Sequence, residues 1–241
     1  MSTSVLVKKQ SDFLNGMQAG ISIAVGYMPI ALTFGILAKS TGLSIGETTL
    51  MSILVFAGAA QYISLSLLAA YTGLFEIILT TFILNLRHFL MSASLSEKAE
   101  NDPVWKKAVY SFGLTDETFS VASTKEGTVN AGYMFGLVLI SYGSWVVNSA
   151  AGYAVGDILP VSVQESMGIA LYAMFIGLLV PSLKKHRKVV LLASLAAVLN
   201  SIFTFSAMLP AGWSIIVSTV AASVLIEAVQ YWRKKGGSHH E

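Results

Sequence analysis

Asn85-Leu86-Arg87-His88 puts a carboxamide, a guanidinium and an imidazole into one helical turn. The turn lies inside an apolar run from about Leu74 to Leu95, and only Glu76 is charged ahead of it. A run of that length suffices to cross a bilayer as a helix. Polar and charged groups at such depth are costly, so they face a polar interior and meet partners on other helices. Together they can hydrogen-bond a small polar solute, lock an opposing charge and carry a proton. A second reading puts Arg87 and His88 near a helix end, reaching the headgroups as anchors.

Counter-charges stand further on, in Thr115-Asp116-Glu117-Thr118-Phe119. If this segment folds back on the bundle, Asp116 and Glu117 answer Arg87 and His88. A carboxylate paired with an imidazole transfers protons near neutral pH. Equally, Thr115 caps a surface helix and the two acids sit in its first turn, where the helix dipole favours them.

Two further stretches invite a ligand. Gly26-Tyr27-Met28-Pro29 and Phe34-Gly35 lie in the first apolar block, where Pro29 removes a backbone donor and predicts a kink or break. A broken membrane helix offers amides to a carboxylate and carbonyls to an ammonium, as an amino-acid zwitterion requires. The plainer reading is close helix packing through small residues. In the second block, Gly58 and its alanine neighbours allow close approach beside Gln61, which either bonds a solute or holds two helices together. The expected substrate-contacting set is therefore Tyr27, Pro29, Phe34, Gly58, Gln61 and Asn85. The expected charge relay is Arg87, His88, Asp116 and Glu117. No metal-ligand spacing, phosphate loop or nucleophile elbow is present, and His239 and His240 lie in a polar tail. There is no cysteine, which excludes disulfide and thiolate chemistry.

The elements that must position these groups follow from composition. Hydrophobic residues make up 54% of the 241, and charged ones only 12%, against roughly 25% charged in ordinary soluble domains. The expectation is an all-α integral membrane protein with a single polytopic domain over 1–241 and no removable signal peptide. About seven apolar blocks are legible, near 15–38, 47–71, 74–95, 131–155, 166–182, 189–209 and 213–232. Asn148 and Asn200 read as inward-facing or helix-gluing, and Glu76 and Glu227 as interfacial. Residues 96–130 read as a polar amphipathic segment lying on the membrane surface, with Trp105, Val109, Tyr110 and Phe112 on its apolar side. Loop charge places Lys98–Lys125, Lys184–Lys188 and Arg233-Lys234-Lys235 in the cytoplasm. Seven spans then put the N-terminus outside, and Lys8 and Lys9 are the exception. Similar openings before blocks two and five, and Leu84-Asn85 beside Leu199-Asn200, suggest an inverted 3+3 repeat of 13–95 on 131–209, a transporter signature.

Taken in order, Gly26–Gly35, Phe56–Gln61, Asn85–His88 and Thr115–Phe119 resemble the AzlC family over essentially the whole chain. The resemblance implies a secondary transporter, not an enzyme, that exports leucine, isoleucine, valine and sometimes methionine from the bacterial inner membrane. It implies the large subunit of a two-component permease, with a small AzlD-like membrane protein as partner and no cofactor. A small-solute channel is the alternative, and a membrane-embedded enzyme or sensor a third.

Overall fold

The computed structural model describes residues 11–156, 187–206 and 211–237, with scattered positions between 158 and 184 and Leu209. The expected fifth span, and most of the acidic loop before it, lie outside the described residues. Nine helices are described: α1 (Asp12–Ser40), α2 (Ile45–Leu54), α3 (Gly58–Ala69), α4 (Leu74–Ser96), α5 (Val104–Phe112), α6 (Asp116–Thr124), α7 (Ala131–Val155), α8 (Arg187–Phe205) and α9 (Ala211–Gly237). Among the described residues, extended pairing is confined to one bridge between Ala99 and Val129. Four helices, α1, α4, α7 and α8, are long and apolar enough to cross a membrane, and α2, α3 and part of α9 are shorter apolar helices. The chain divides into two units: Met1–Gln61 with Asn85–Gly168, and Tyr62–Leu84 with Ile169–Glu241.

The first unit is built on α1 and α7. Ser11 caps α1 and Asn130 caps α7, and the Asn130 amide donates to Asp12 at 2.7 Å. The two helices therefore start side by side and run parallel. Glycines let them touch: a Cβ at Gly16 would stand 2.0 Å from the Tyr133 carbonyl, and one at Gly35 2.0 Å from that of Ser149. An inverted pairing of 13–95 with 131–209 would set these helices antiparallel, so the orientation found departs from that expectation.

Pro29 does not break α1. The helix continues from Asp12 to Ser40, and Pro29 is exposed on its outer face. The glycine contacts with α7 hold α1 on both sides of the proline. Just upstream, the Ser144 hydroxyl donates to the Ala24 carbonyl at 2.6 Å. Gly26 has open space where a side chain would go. Two substitutions separate these roles. Gly35→Ala forces backbone apart and should cost about 1–3 kcal/mol, whereas Gly26→Ala should be neutral or stabilise by up to about 1 kcal/mol. Thermal melting of the detergent-solubilised protein checks both.

The interruption falls in the second block instead. A capping box of Ser44 and Glu47 starts α2, which stops at Leu54. Val55, Phe56 and Ala57 are non-helical, and α3 restarts at Gly58. Neither α2 nor α3, at 10 and 12 residues, is long enough to cross alone.

The segment 96–130 is not one surface helix. Lys107 and Tyr110 of α5 share a small cavity with Leu95 and Ala99, at the end of α4. Ser111 and Phe112 share a cleft with Asn85 and His88, further back along α4. Hence α5 runs antiparallel to α4, and α6 returns. The Lys98 ammonium fastens the return by donating to the carbonyls of Ser123 and Lys125. At the tip, a Cβ on Gly113 would collide with Val138 of α7. The segment is thus a re-entrant pair of helices, α5 running out along α4 and α6 coming back: Tyr110, Leu114 and Thr115 are buried, while Trp105, Val109 and Phe112 on the apolar side of α5 stay exposed.

In the second unit, Glu76 is 8% exposed and its carboxylate accepts the Trp213 amide at 2.7 Å. It caps the start of α9 rather than facing headgroups. Lys188 of α8 pairs with the exposed Glu227 of α9.

Candidate functional site

Arg87 lies nine residues before the end of α4 at Ser96, about 14 Å along the axis. Its Nη1 meets Asp116 Oδ2 at 2.6 Å, with the two side chains 31% and 27% exposed. The ion pair joins α4 to the first turn of α6. Arg87 Nε is buried without a hydrogen-bond partner.

Glu117 goes elsewhere. The Tyr27 hydroxyl, fifteen residues into α1, donates to Glu117 Oε2 at 2.6 Å and lies 2.6 Å from Thr115 Oγ1. A phenol has one proton, so the Thr115 hydroxyl supplies the second bond and the order runs Thr115 to Tyr27 to Glu117. Thr115 also caps α6 by accepting from the Thr118 amide at 3.2 Å. The acids occupy the first turn of a capped helix, and of the expected pairings with Arg87 and His88 the structure brings together Arg87 and Asp116. Neighbouring carboxylates clasp two different helices. His88 joins neither clasp, and its Nδ1 lies 3.2 Å from the Asn85 carbonyl.

Beside the interruption lies an open cleft of about 290 Å³, near the lower end of small-molecule pockets at ~300–1,000 Å³. Leu54 to Ala57, the non-helical stretch and its approach, form one wall. Asn85, His88 and Ser111 supply polar groups, and Phe89, Phe112 and Leu114 supply apolar ones. The Asn85 Oδ1 atom is buried and unpartnered. It is a hydrogen-bond acceptor awaiting a donor. An interrupted helix presents backbone groups that lack intrahelical partners, so the cleft has the elements that bind a zwitterion beside an apolar wall. Among the described residues, no three His, Asp or Glu side chains converge as metal ligands would.

The other expected contacts stand behind the cleft. Gln61 is fully buried: its Oε1 accepts from Trp145 Nε1 at 2.8 Å, and its Nε2 donates to Ser52 Oγ at 3.4 Å. Its amide holds α7 and α2 to α3 and does not line the cleft. Gly58 makes room for the Trp145 ring, which a Cβ would approach to 2.7 Å. Phe34 is fully buried and packs against the same ring, with centroids 6.4 Å apart. Pro29 faces outward. Of the expected substrate-contacting set, only Asn85 lines the cleft, while Tyr27 belongs to the clasp.

Sequence reasoning missed Tyr142, whose hydroxyl donates to the Ile53 carbonyl at 2.9 Å, in the last turn of α2. Tyr142 and Trp145 are three residues apart and share a helix face. That spacing was the available signal. Ser111, Phe112 and Leu114 were missed because the segment read as a surface helix.

Comparison with known proteins supplies the relatives. The family described as AzlC protein matches residues 22–159. An uncharacterized membrane protein of Archaeoglobus fulgidus is 34% identical over 180 residues, covering 74% of this chain and 79% of the relative. The inner membrane protein YgaZ of Escherichia coli is 30% identical over 81% of this chain and 83% of its own length. The branched-chain amino acid transport protein AzlC of Bacillus subtilis is 26% identical over 70% of this chain and 66% of its own length. No solved structure matches.

Proposed function

This chain belongs to the AzlC family, and from that premise we propose a secondary transporter that exports branched-chain amino acids. Leucine, isoleucine and valine, with methionine beside them, are the proposed substrates. The chain is read as the large subunit of a two-component permease in the bacterial inner membrane, with a small AzlD-like membrane protein as its partner. The observation that carries the reading is the cleft lined by the 55–57 interruption, Asn85 and His88, on the turn of α4 that also carries Arg87 and its Asp116 partner. The polar groups of Asn85, His88 and Ser111 would take the zwitterion, and the apolar wall would take the side chain. Arg87 would release Asp116 as the re-entrant pair moves, and Glu117 would carry the coupling proton.

Loop charge supports an orientation. Lys98, Lys106, Lys107 and Lys125 lie at the end of the first unit where α1 and α7 begin, which supports reading the start of α1 as cytoplasmic. Lys8 and Lys9 then cease to be an exception. The basic 184–188 run and the C-terminal Arg233-Lys234-Lys235 are likewise read as cytoplasmic.

Counterflow of labelled valine in proteoliposomes tests the function, with and without the small partner. Transient accumulation of label driven by unlabelled leucine or valine inside is the expected result. A channel equilibrates the label without accumulation, and that outcome would overturn the reading.

A further inference from the structure

The cleft has an aromatic wall assembled from two separate interruptions of the fold. Phe56 comes from the non-helical stretch after α2, and Phe112 from the tip of the re-entrant pair. Tyr142 of α7 joins them, its ring centroid 5.3 Å from that of Phe56 and 6.0 Å from that of Phe112, both edge-on. Edge-to-face aromatic pairs at such spacing stabilise one another beyond area burial. The hydroxyl of the same tyrosine holds the Ile53 carbonyl, and Gly113 seats the tip against Val138. The ring of Phe112 is therefore held by Tyr142 on one side, and it lines the cleft together with Asn85 while remaining about half exposed.

We propose that Phe112 determines specificity, its ring closing the side-chain subsite to anything larger than a branched aliphatic group. The inference rests on the transport reading above and adds a size limit to it. Polar groups at Asn85 orient the backbone end of the substrate, so the side chain is directed at the aromatic wall. A filled apolar subsite discriminates by volume, with a single methylene worth roughly 10–200-fold.

The test is counterflow of labelled valine against unlabelled valine, leucine or phenylalanine, in wild-type protein and in Phe112→Ala, Phe112→Leu and Phe112→Trp. Wild type should exchange valine and leucine well and phenylalanine poorly. Phe112→Ala should raise phenylalanine exchange relative to valine by about tenfold or more. Phe112→Trp should lose leucine before valine. If the alanine variant does not reach the membrane, the leucine and tryptophan variants decide the matter by the same ratios. Failure of wild type to exchange valine overturns the transport reading and this inference with it. Valine exchange with unchanged substrate ratios in the variants overturns the specificity role alone, and so does a wild type that already exchanges phenylalanine as well as valine.

Discussion

Arg87→Ala should reduce valine counterflow at least about a hundredfold, to the level of empty vesicles, while the protein still inserts at normal abundance. The separation of the two effects follows from geometry. Breaking a fully buried ion pair costs about 3–5 kcal/mol, because the remaining charge is stranded. Here neither side chain is fully buried, so the structural cost should fall below that figure. Asp116 also sits in the first turn of α6, where the helix dipole favours a carboxylate. The fold should therefore survive. Transport depends on more than the pair, because Arg87 is the cation that anchors the tip of the re-entrant segment beside the cleft. Arg87→Lys tests the planar guanidinium, which a lysine cannot reproduce. Arg87→Ala/Asp116→Ala tests the pair: recovery of exchange in the double variant would mean that a stranded aspartate was the whole defect. Undiminished valine exchange in Arg87→Ala would remove the residue from the mechanism.

How far these groups could be read from the sequence depends on what fixes them. Arg87 and the acids at 116 and 117 were legible as partners because charge deep in an apolar helix demands a counter-charge. Which acid pairs with which helix was not legible, since adjacent residues on α6 point about 100° apart and the tertiary arrangement selects. Pro29 marked the wrong interruption. Proline acts locally, and the glycine contacts of α1 with α7 on either side of it outweigh the lost hydrogen bond. The real break at Val55-Phe56-Ala57 contains no helix breaker. Contacts surround it: buried Phe56 and Ala57, Tyr142 on the Ile53 carbonyl and Trp145 over Gly58. Helicity was legible throughout, because 3.6-residue structure is the default for apolar segments in lipid. The fold-back of the re-entrant pair was hidden by its composition, since a polar, amphipathic segment that packs one side against α4 and α7 looks like one that only lies on a surface.

Glu117→Gln should uncouple the transporter without disabling it. Exchange of valine for valine should persist within about threefold of wild type, whereas uphill movement driven by a pH gradient should fall to background. The reason lies in the hydrogen-bond order. Tyr27 donates to Glu117 Oε2, and a glutamine presents a carbonyl oxygen at the same place, so the clasp between α1 and α6 is kept. What is lost is the ability to change protonation. Among the described residues, the titratable group bonded to this carboxylate is Tyr27 on α1, and Asp116 stands beside it on α6. Asp116 is committed to Arg87, and His88 turns its Nδ1 to the backbone carbonyl of Asn85. In the proposed cycle a protonated Glu117 would donate where the carboxylate accepts, and the Thr115–Tyr27 hydroxyls would reverse direction to match. Tyr27→Phe removes the reversible partner and should slow exchange as well as uphill transport. The two variants thereby differ in kind. Gradient-driven transport that survives in Glu117→Gln would assign the proton, if one is used, to His88.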